Sequence, residues 1–397
     1  MNDIKWQENK MPKTADKNLS IMSIEEVKKA KAFHESFPQY SNTPLAELKE
    51  MSKYLGLGAI KVKDESYRFG LNAFKVLGGS YSMAKYIAQK MGKDVSELPY
   101  DILVSKKLKD EFGQATFFSA TDGNHGRGVA WAANKLGQKC VIFMPKGTTE
   151  IRLNNILKEG AMATIEKYNY DECVRMAADA ASKVENGVVV QDTAWEGYEE
   201  IPAWIMQGYG TMAIEADEQF GEKPTHVFVQ AGVGSLAGAI VGYFSNKYKD
   251  NPPKMVVVEA SAAACLYKGA VAGDGNIRIV DGDLNTIMAG LACGEPNITS
   301  WDILKNHVNC FISAEDIVAA RGMRMLSAPL KGDAQVVSGE SGAAPFGSLA
   351  TIMLNDEYLE LRKKLDLNTN SKVLLFSTEG DTDPQRWKNI VWEAKDR

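Results

Sequence analysis

Lys75 closes the run Asn72-Ala-Phe-Lys75 and is followed by Val76-Leu-Gly-Gly, so one lysine stands where a predicted strand gives way to a predicted helix. Apolar Phe74 and Val76 flank it. Partial desolvation between them lowers the amine's pKa toward the range in which it acts as nucleophile and base. Two later segments supply complementary chemistry. Ser119-Ala-Thr-Asp-Gly-Asn-His-Gly126 gathers Thr121, Asp122, Gly123, Asn124 and His125 into one polar turn. Ala231-Gly-Val-Gly-Ser-Leu-Ala-Gly238 is a loop in which successive N–H groups can converge on a phosphate, with a helix dipole behind them. Near the end, Leu374-Leu-Phe-Ser377-Thr378-Glu-Gly-Asp-Thr finishes an apolar run in hydroxyls. An amine, a carboxylate-bearing turn, a phosphate cradle and neutral hydroxyls point to a pyridoxal phosphate enzyme. Lys75 would hold the cofactor aldehyde in Schiff-base linkage. A hydroxyl at the pyridine nitrogen bonds it without fully protonating it, which suits elimination.

Each segment alone has a plainer reading. A lysine at a helix start is ordinarily a surface lysine. Asp and Asn before a helix ordinarily form a cap or an Asx turn. The glycine loop also resembles a dinucleotide fingerprint, and Gly238 fits close helix–sheet packing. Its position deep in the chain, together with the lysine and aspartate segments upstream, argues against a dinucleotide. His125 reads as structural rather than basic.

These side chains meet only if their segments are junctions at the carboxyl ends of strands, where open α/β sheets place ligands. Ala59-Ile-Lys-Val-Lys reads as a strand ending at Asp64-Glu-Ser, and a helix follows from about Gly79 to Met91. Strands are expected at 116–120, 140–144, 162–165 and 188–190, with helices at 124–136, 149–158 and 170–184 between them. That alternation implies a parallel sheet with right-handed crossovers. A second block runs from a helix at 203–220 through strand 225–230, the glycine loop, helix 236–248 and strand 255–259 to a last strand at 373–377. Residues 1–40 read as a wrapping arm or a partner contact with a helix near Ile24 to Phe33, and 92–115 as a weakly patterned insert. The expected fold is α/β with two domains, each a parallel-type twisted sheet flanked by helices. A small domain, 116–200, is inserted in a large cofactor-binding domain made of 1–115 and 201–397.

The 397 residues carry a net charge of −5, which gives no electrostatic case for nucleic acid. Five scattered cysteines without a CxxC fit reduced thiols in the cytoplasm and offer no zinc site. The most apolar stretch, Val227 to Phe244, is interrupted by glycines and polar residues, so no membrane span is expected.

In this order the four segments resemble the fold-type II pyridoxal phosphate enzymes, whose members include serine/threonine dehydratases, serine racemase and the tryptophan synthase β chain. Longer stretches resemble the diaminopropionate ammonia-lyase branch. They are Lys63-Asp-Glu-Ser with Arg68-Phe-Gly-Leu-Asn-Ala-Phe-Lys75, Ala120 to Ala132, Gln191-Asp-Thr-Ala-Trp-Glu-Gly-Tyr198, Ile287 to Pro296, Ser338-Gly-Glu-Ser-Gly342 and Ser377 to Asp383. The resemblance covers about residue 40 to the end.

It implies α,β-elimination of ammonia from D- and L-2,3-diaminopropionate, giving pyruvate and two ammonia by way of aminoacrylate. Lys75 would be the cofactor lysine and the Cα base for the L isomer. Asp122, where dehydratases place a serine, would be the base for the D isomer. Asp192 would be a second active-site carboxylate, and paired carboxylates suit a substrate with an ammonium at Cβ. Phe74 would flank the cofactor and Asn124 would bond its ring oxygen. Gly232, Val233, Gly234, Ser235 and Leu236 would cradle the phosphate. Ser377 or Thr378 would meet the pyridine nitrogen. Thr121, Asp122, Gly123, His125 and Asp192 would line the substrate position. The metal site of serine racemase relatives is not expected here, because Glu259-Ala-Ser-Ala-Ala-Ala-Cys265 lacks the later acids. The chain ends soon after Thr382, so an appended regulatory domain is not expected either. A homodimer is. The competing readings are a serine/threonine dehydratase and a cofactor-binding protein without turnover, with a dinucleotide-dependent oxidoreductase behind them.

Overall fold

The computed structural model describes residues 3–121 and 123–395. Its strands are β1 (Ile4–Glu8), β2 (Leu45–Glu47), β3 (Ala59–Asp64), β4 (Thr116–Ala120), β5 (Lys139–Met144), β6 (Met162–Ile165), β7 (Gly187–Val189), β8 (His226–Gln230), β9 (Lys254–Ala260), β10 (Cys310–Ala314) and β11 (Lys372–Ser377). Helices separate most of them, so the chain is α/β. It divides into two compact units. One comprises 1–24, 42–72 and 212–397, the other 25–41 and 73–211.

The first unit holds a seven-stranded sheet in the order β1-β10-β9-β8-β11-β3-β2. Its centre is parallel: β8 pairs with β9 and β11, and β11 pairs with β3. Both edges are antiparallel, β1 on β10 and β2 on β3. The central strands are buried beyond their first residues, as parallel strands covered on both faces must be, and therefore read as nearly continuous apolar runs. Val256, Val258, Ile312 and Leu375 pack with Phe346 and Leu349 of the helix Glu340–Leu354 in one core. Each such side chain contributes about 1.5–3 kcal/mol on full burial.

The second unit holds a four-stranded parallel sheet, β6-β5-β4-β7. The elements expected between 116 and 190 are all present, within one to two residues at their ends. Elsewhere the structure gives form to two weakly patterned stretches. Residues 92–115 form short helices at Tyr100–Leu103 and Lys106–Phe112, the latter capped by Ser105 Oγ, which accepts from Leu108 N. The N-terminal stretch contributes strand β1 to the sheet edge, where Ile4 is buried and the other residues of the strand are not.

Candidate active site

In the first unit, the carboxyl ends of three adjacent parallel strands lie side by side. Strand β11 sits between β8 and β3, and Ser377 pairs with Asp64. From β8 runs the glycine loop, from β11 the Ser377-Thr378 hydroxyls, and from β3 the segment that leads to Lys75.

The glycine loop turns at Gly234, where φ is +104° and a side chain would press on Ser300 Oγ at 2.8 Å. Only glycine takes that conformation without strain. The turn opens the helix Ser235–Tyr248, whose first N–H groups have no acceptors within their own helix. Ser235 Oγ accepts from Asn297 Nδ2 at 2.8 Å, and Val233 O accepts from Asn297 N at 2.7 Å, so one asparagine braces the loop.

At the end of β11, Ser377 Oγ bonds Ser338 Oγ at 2.8 Å. Thr378 Oγ1 accepts from Gln230 Nε2 at 2.7 Å, which leaves its own O–H to donate elsewhere. Gln230 Oε1 is buried with no partner among the described residues.

The segment between β3 and Lys75 is anchored by a buried ionic cluster. Arg68 reaches both carboxylates, Glu65 at 2.8 and 2.9 Å and Glu215 at 2.9 and 2.7 Å. Lys63 Nζ pairs with Glu215 at 2.7 Å and donates to Thr43 O and Gln219 Oε1. Asn72, in the left-handed region at φ +59°, donates from Nδ2 to Asp381 and accepts Gly380 N on its carbonyl, both at 3.0 Å. The run-up to the lysine is thereby tied to the loop after Ser377.

In the second unit, Lys75 caps the helix Val76–Lys90. That helix packs against the helix Asn124–Lys135 at Gly128, where a side chain would come within 2.7 Å of Val76 N. Strand β4 leads into the turn at 121–126, and Thr121 Oγ1 accepts from Gly123 N at 3.0 Å and Gly126 N at 3.2 Å. Thr121 thereby caps the start of the helix that follows. Asn124 is the first helical residue. Asp122 lies outside the described residues.

Asp192 follows β7, the parallel neighbour of β4, so its loop and the 121–126 turn leave the same sheet edge. Three side chains stitch the two together. His125 Nε2 donates to Val190 O at 2.9 Å, Ser119 Oγ donates to Val190 O at 2.7 Å, and Gln191 Nε2 donates to Ala120 O at 3.1 Å. One ring nitrogen of His125 is thereby committed to the backbone of the Asp192 loop. Tyr198 OH accepts Gln191 N at 2.9 Å and donates to Val189 O at 3.0 Å, closing the loop on itself.

The product of this scaffold is an ion pair: Lys75 Nζ lies 2.6 Å from Asp192 Oδ2. Burial works against the Asp192 charge, but Lys75 and His125 outweigh it and hold the carboxyl down at about 2. Asp192 is therefore an anion at any neutral pH. The lysine side chain keeps 21% of its surface exposed, so its amine is reachable. Sequence reasoning placed Lys75 and Asp192 in the site separately, with no signal for their direct contact across 117 positions. It also missed Gln230, Asn297 and Asp381 as braces, whose partners are distant in sequence.

The residues fit pyridoxal phosphate. An accessible amine, a helix N-terminus behind a glycine turn, a hydroxyl with a free O–H and an orphaned buried amide oxygen are what such a cofactor would engage. The glycine loop and the hydroxyls stand on neighbouring strands of one unit.

Comparison with known proteins agrees with this chemistry. Residues 37–377 match a family model described as pyridoxal-phosphate dependent enzyme. The diaminopropionate ammonia-lyase of Salmonella typhimurium is 50% identical over 369 residues, which is 92% of this chain and 91% of that protein. The crystal structure of diaminopropionate ammonia lyase from Escherichia coli in complex with D-serine matches with a TM-score of 0.90 at 44% identity, covering 99% of this chain and 97% of that one. The same enzyme in complex with an aminoacrylate-PLP azomethine reaction intermediate matches with a TM-score of 0.87 at 44% identity and the same coverage.

Proposed function

The chain belongs to the pyridoxal-phosphate dependent enzymes and, within them, to the diaminopropionate ammonia-lyases, and from that premise we propose how its own residues perform the elimination. The substrate is 2,3-diaminopropionate, D or L. The Cα–H and Cβ–N bonds break, and ammonia and 2-aminoacrylate leave. Hydrolysis of 2-aminoacrylate then gives pyruvate and the second ammonia. Pyridoxal phosphate supplies the electron sink that makes the Cα proton removable when it is bound through Lys75.

Phe74 and Lys75, Asn124, the loop Gly232, Val233, Gly234, Ser235 and Leu236, and a hydroxyl of β11's end are the residues that would hold the cofactor. Of the two hydroxyls, Thr378 is favoured at the pyridine nitrogen. Gln230 occupies its acceptor side and leaves the O–H to donate, whereas Ser377 is turned to Ser338. Lys75 Nζ takes the Cα proton of the L isomer, and Asp122 takes that of the D isomer from the opposite face. Asp192 binds the β-ammonium, with Thr121, Gly123 and His125 lining the same position.

The observation that carries this reading is the Lys75–Asp192 pair. A carboxylate beside the cofactor lysine already holds a primary ammonium at 2.6 Å. When that amine is committed to the cofactor, the carboxylate is available to the ammonium of the substrate. A hydroxyl leaving group needs no such partner, which favours diaminopropionate over serine or threonine.

The test measures pyruvate and ammonia from cofactor-loaded protein given D- and L-2,3-diaminopropionate and D- and L-serine. Two ammonia per pyruvate from both diamine isomers, with little from serine, is expected. Turnover of L-serine or L-threonine alone would make the protein a dehydratase, and no turnover at all would leave a cofactor-binding protein. Asp122→Asn is expected to slow the D isomer by about 10²–10⁴-fold, the usual worth of a positioned base, while sparing the L isomer. Equal losses would remove the case for separate bases. The reading also takes the enzyme as a cytoplasmic homodimer; sedimentation of the purified protein checks the dimer, and cell fractionation checks the compartment. Among the described residues, no helix is long and apolar enough to cross a membrane.

A further inference from the structure

Gln230 is the last residue of β8, at the centre of the seven-stranded sheet, with β9 on one side and β11 on the other. It is 1% exposed and closes the apolar run Val227-Phe-Val. The backbone ladder between β8 and β11 runs as far as Phe228 and Leu375. Beyond it the glutamine side chain makes the pairing. Nε2 donates to Phe376 O at 3.2 Å and to Thr378 Oγ1 at 2.7 Å. The amide can face only this way, because a carbonyl oxygen accepts and never donates, so Phe376 O requires the nitrogen. Both N–H groups are thereby used. Oε1 is left buried, with no hydrogen-bond partner among the described residues.

An apolar side chain of similar size, such as methionine, would leave no orphaned amide oxygen at the end of this strand. The cost of the glutamine persists where the group has work to do. We infer that Gln230 is a positioning residue for the cofactor's pyridine nitrogen: by filling the acceptor side of Thr378 it makes that hydroxyl a donor and so keeps the nitrogen unprotonated. The inference rests on the functional reading above, and within it on Thr378 as the hydroxyl that meets the ring.

A hydroxyl can meet a pyridine nitrogen in two ways. It donates to the bare nitrogen, or it accepts from a protonated one. Gln230 Nε2 already donates to Thr378 Oγ1, and Thr378 is 3% exposed. A pyridinium N–H would put a second donor on the same oxygen and send the O–H in search of another acceptor. A buried donor without an acceptor costs free energy. The bare nitrogen takes the O–H and satisfies both groups. Ser377 cannot be set in this way, because its partner Ser338 Oγ is a hydroxyl that either donates or accepts. A neutral ring is the weaker electron sink. It suffices where the β-ammonium leaves once charge builds at Cα, and it gives little help to transamination.

The test reads the ring-nitrogen NMR resonance of protein loaded with pyridoxal phosphate isotopically labelled at that nitrogen. The wild type is expected at the position of an unprotonated, hydrogen-bonded pyridine. In Gln230→Glu the new side chain accepts from Thr378, whether charged or neutral, and leaves the Thr378 oxygen to accept from the ring. The resonance is expected to shift to the pyridinium position. Introduced into Thr378→Val, the same glutamate should move nothing, because the hydroxyl that relays its effect is gone. Gln230→Met removes the donor altogether, and the affinity for pyridoxal phosphate, titrated into the cofactor-free protein, is expected to fall roughly tenfold, the worth of one well-held hydrogen bond. A wild-type resonance at the pyridinium position overturns the inference. So does an unchanged resonance in Gln230→Glu, or a shift that persists without the Thr378 hydroxyl, which would be a direct charge effect. Should the glutamate variant fail to fold, the methionine variant decides, and wild-type cofactor affinity there overturns the inference. A wild-type protein that turns over neither diamine isomer sinks the functional reading. Wild-type turnover with unaltered variants sinks the inference alone.

Discussion

Two lysines of this chain hold carboxylates in short ion pairs, Lys63 with Glu215 at 2.7 Å and Lys75 with Asp192 at 2.6 Å, and the surroundings of the two pairs are opposite. Around Lys63 the charges close on themselves. Arg68 and Lys63 face Glu65 and Glu215, Thr43 and Gln219 take up further bonds, and all four charged side chains are almost wholly buried. Burial pulls the Lys63 amine down, while burial of Glu215 is outweighed by Arg68 and Lys63, which hold it at about 2. Around Lys75 the side chain stays partly exposed, and the buried Tyr209 hydroxyl near the first turn beyond it has no hydrogen-bond partner among the described residues. A closed cluster fixes a segment in place. An open pair is one whose partner can be exchanged.

The comparison is sharpest in substitutions of the two lysine sites. Lys75→Ala should reduce turnover below detection and abolish the visible band of the bound cofactor, while the protein still unfolds cooperatively. An unchanged spectrum would place the cofactor on another lysine. Arg68→Ala should instead cost about 3–5 kcal/mol of stability in denaturant unfolding, because it leaves two buried carboxylates short of their cation. A loss below about 1 kcal/mol would show that the cluster relaxes and is no anchor.

Asp192→Asn should be milder than either, raising KM for both diamine isomers roughly ten- to a hundredfold through loss of a charge-assisted bond. Normal kinetics on both isomers would make Asp192 structural. Its titration gives the smallest effect. The folded carboxyl stands at about 2 against an ordinary 3.8, so its contribution to stability is present above the ordinary value and is lost as pH falls toward 2. Stability of the cofactor-free protein measured above about pH 5 should therefore show no step belonging to Asp192. A step there would mean that the Lys75 charge does not govern this carboxylate.

Much of the second sheet was legible in the sequence, since short apolar strands alternate there with amphipathic helices and each turn carries its own polar signal. The region 261–371 was not. Strand β10, Cys-Phe-Ile-Ser-Ala, is buried at every position and shows no alternation. The helix Glu340–Leu354 contains Pro345 and two glycines, which argue locally against a helix. Packing on the helix Asp316–Ser327 overrides that preference. Strand β1 buries one residue and is held by pairing to β10, a partner some three hundred positions away that no local pattern announces.

The sequence by itself determined which side chains stand at each junction: the lysine after Asn72, the carboxylates at 122 and 192, the glycine loop and the hydroxyls at 377–378. Side-chain type and the strand-to-helix rhythm suffice for that, because both are local. Tertiary structure alone decided which groups touch. It set Asp192 on Lys75, Gln230 on Thr378 and Asn72 on Asp381, and it brought the ring of Tyr209 over the first turn beyond the lysine. Those contacts depend on strand order and helix packing, which are properties of the whole chain and are written in no single segment.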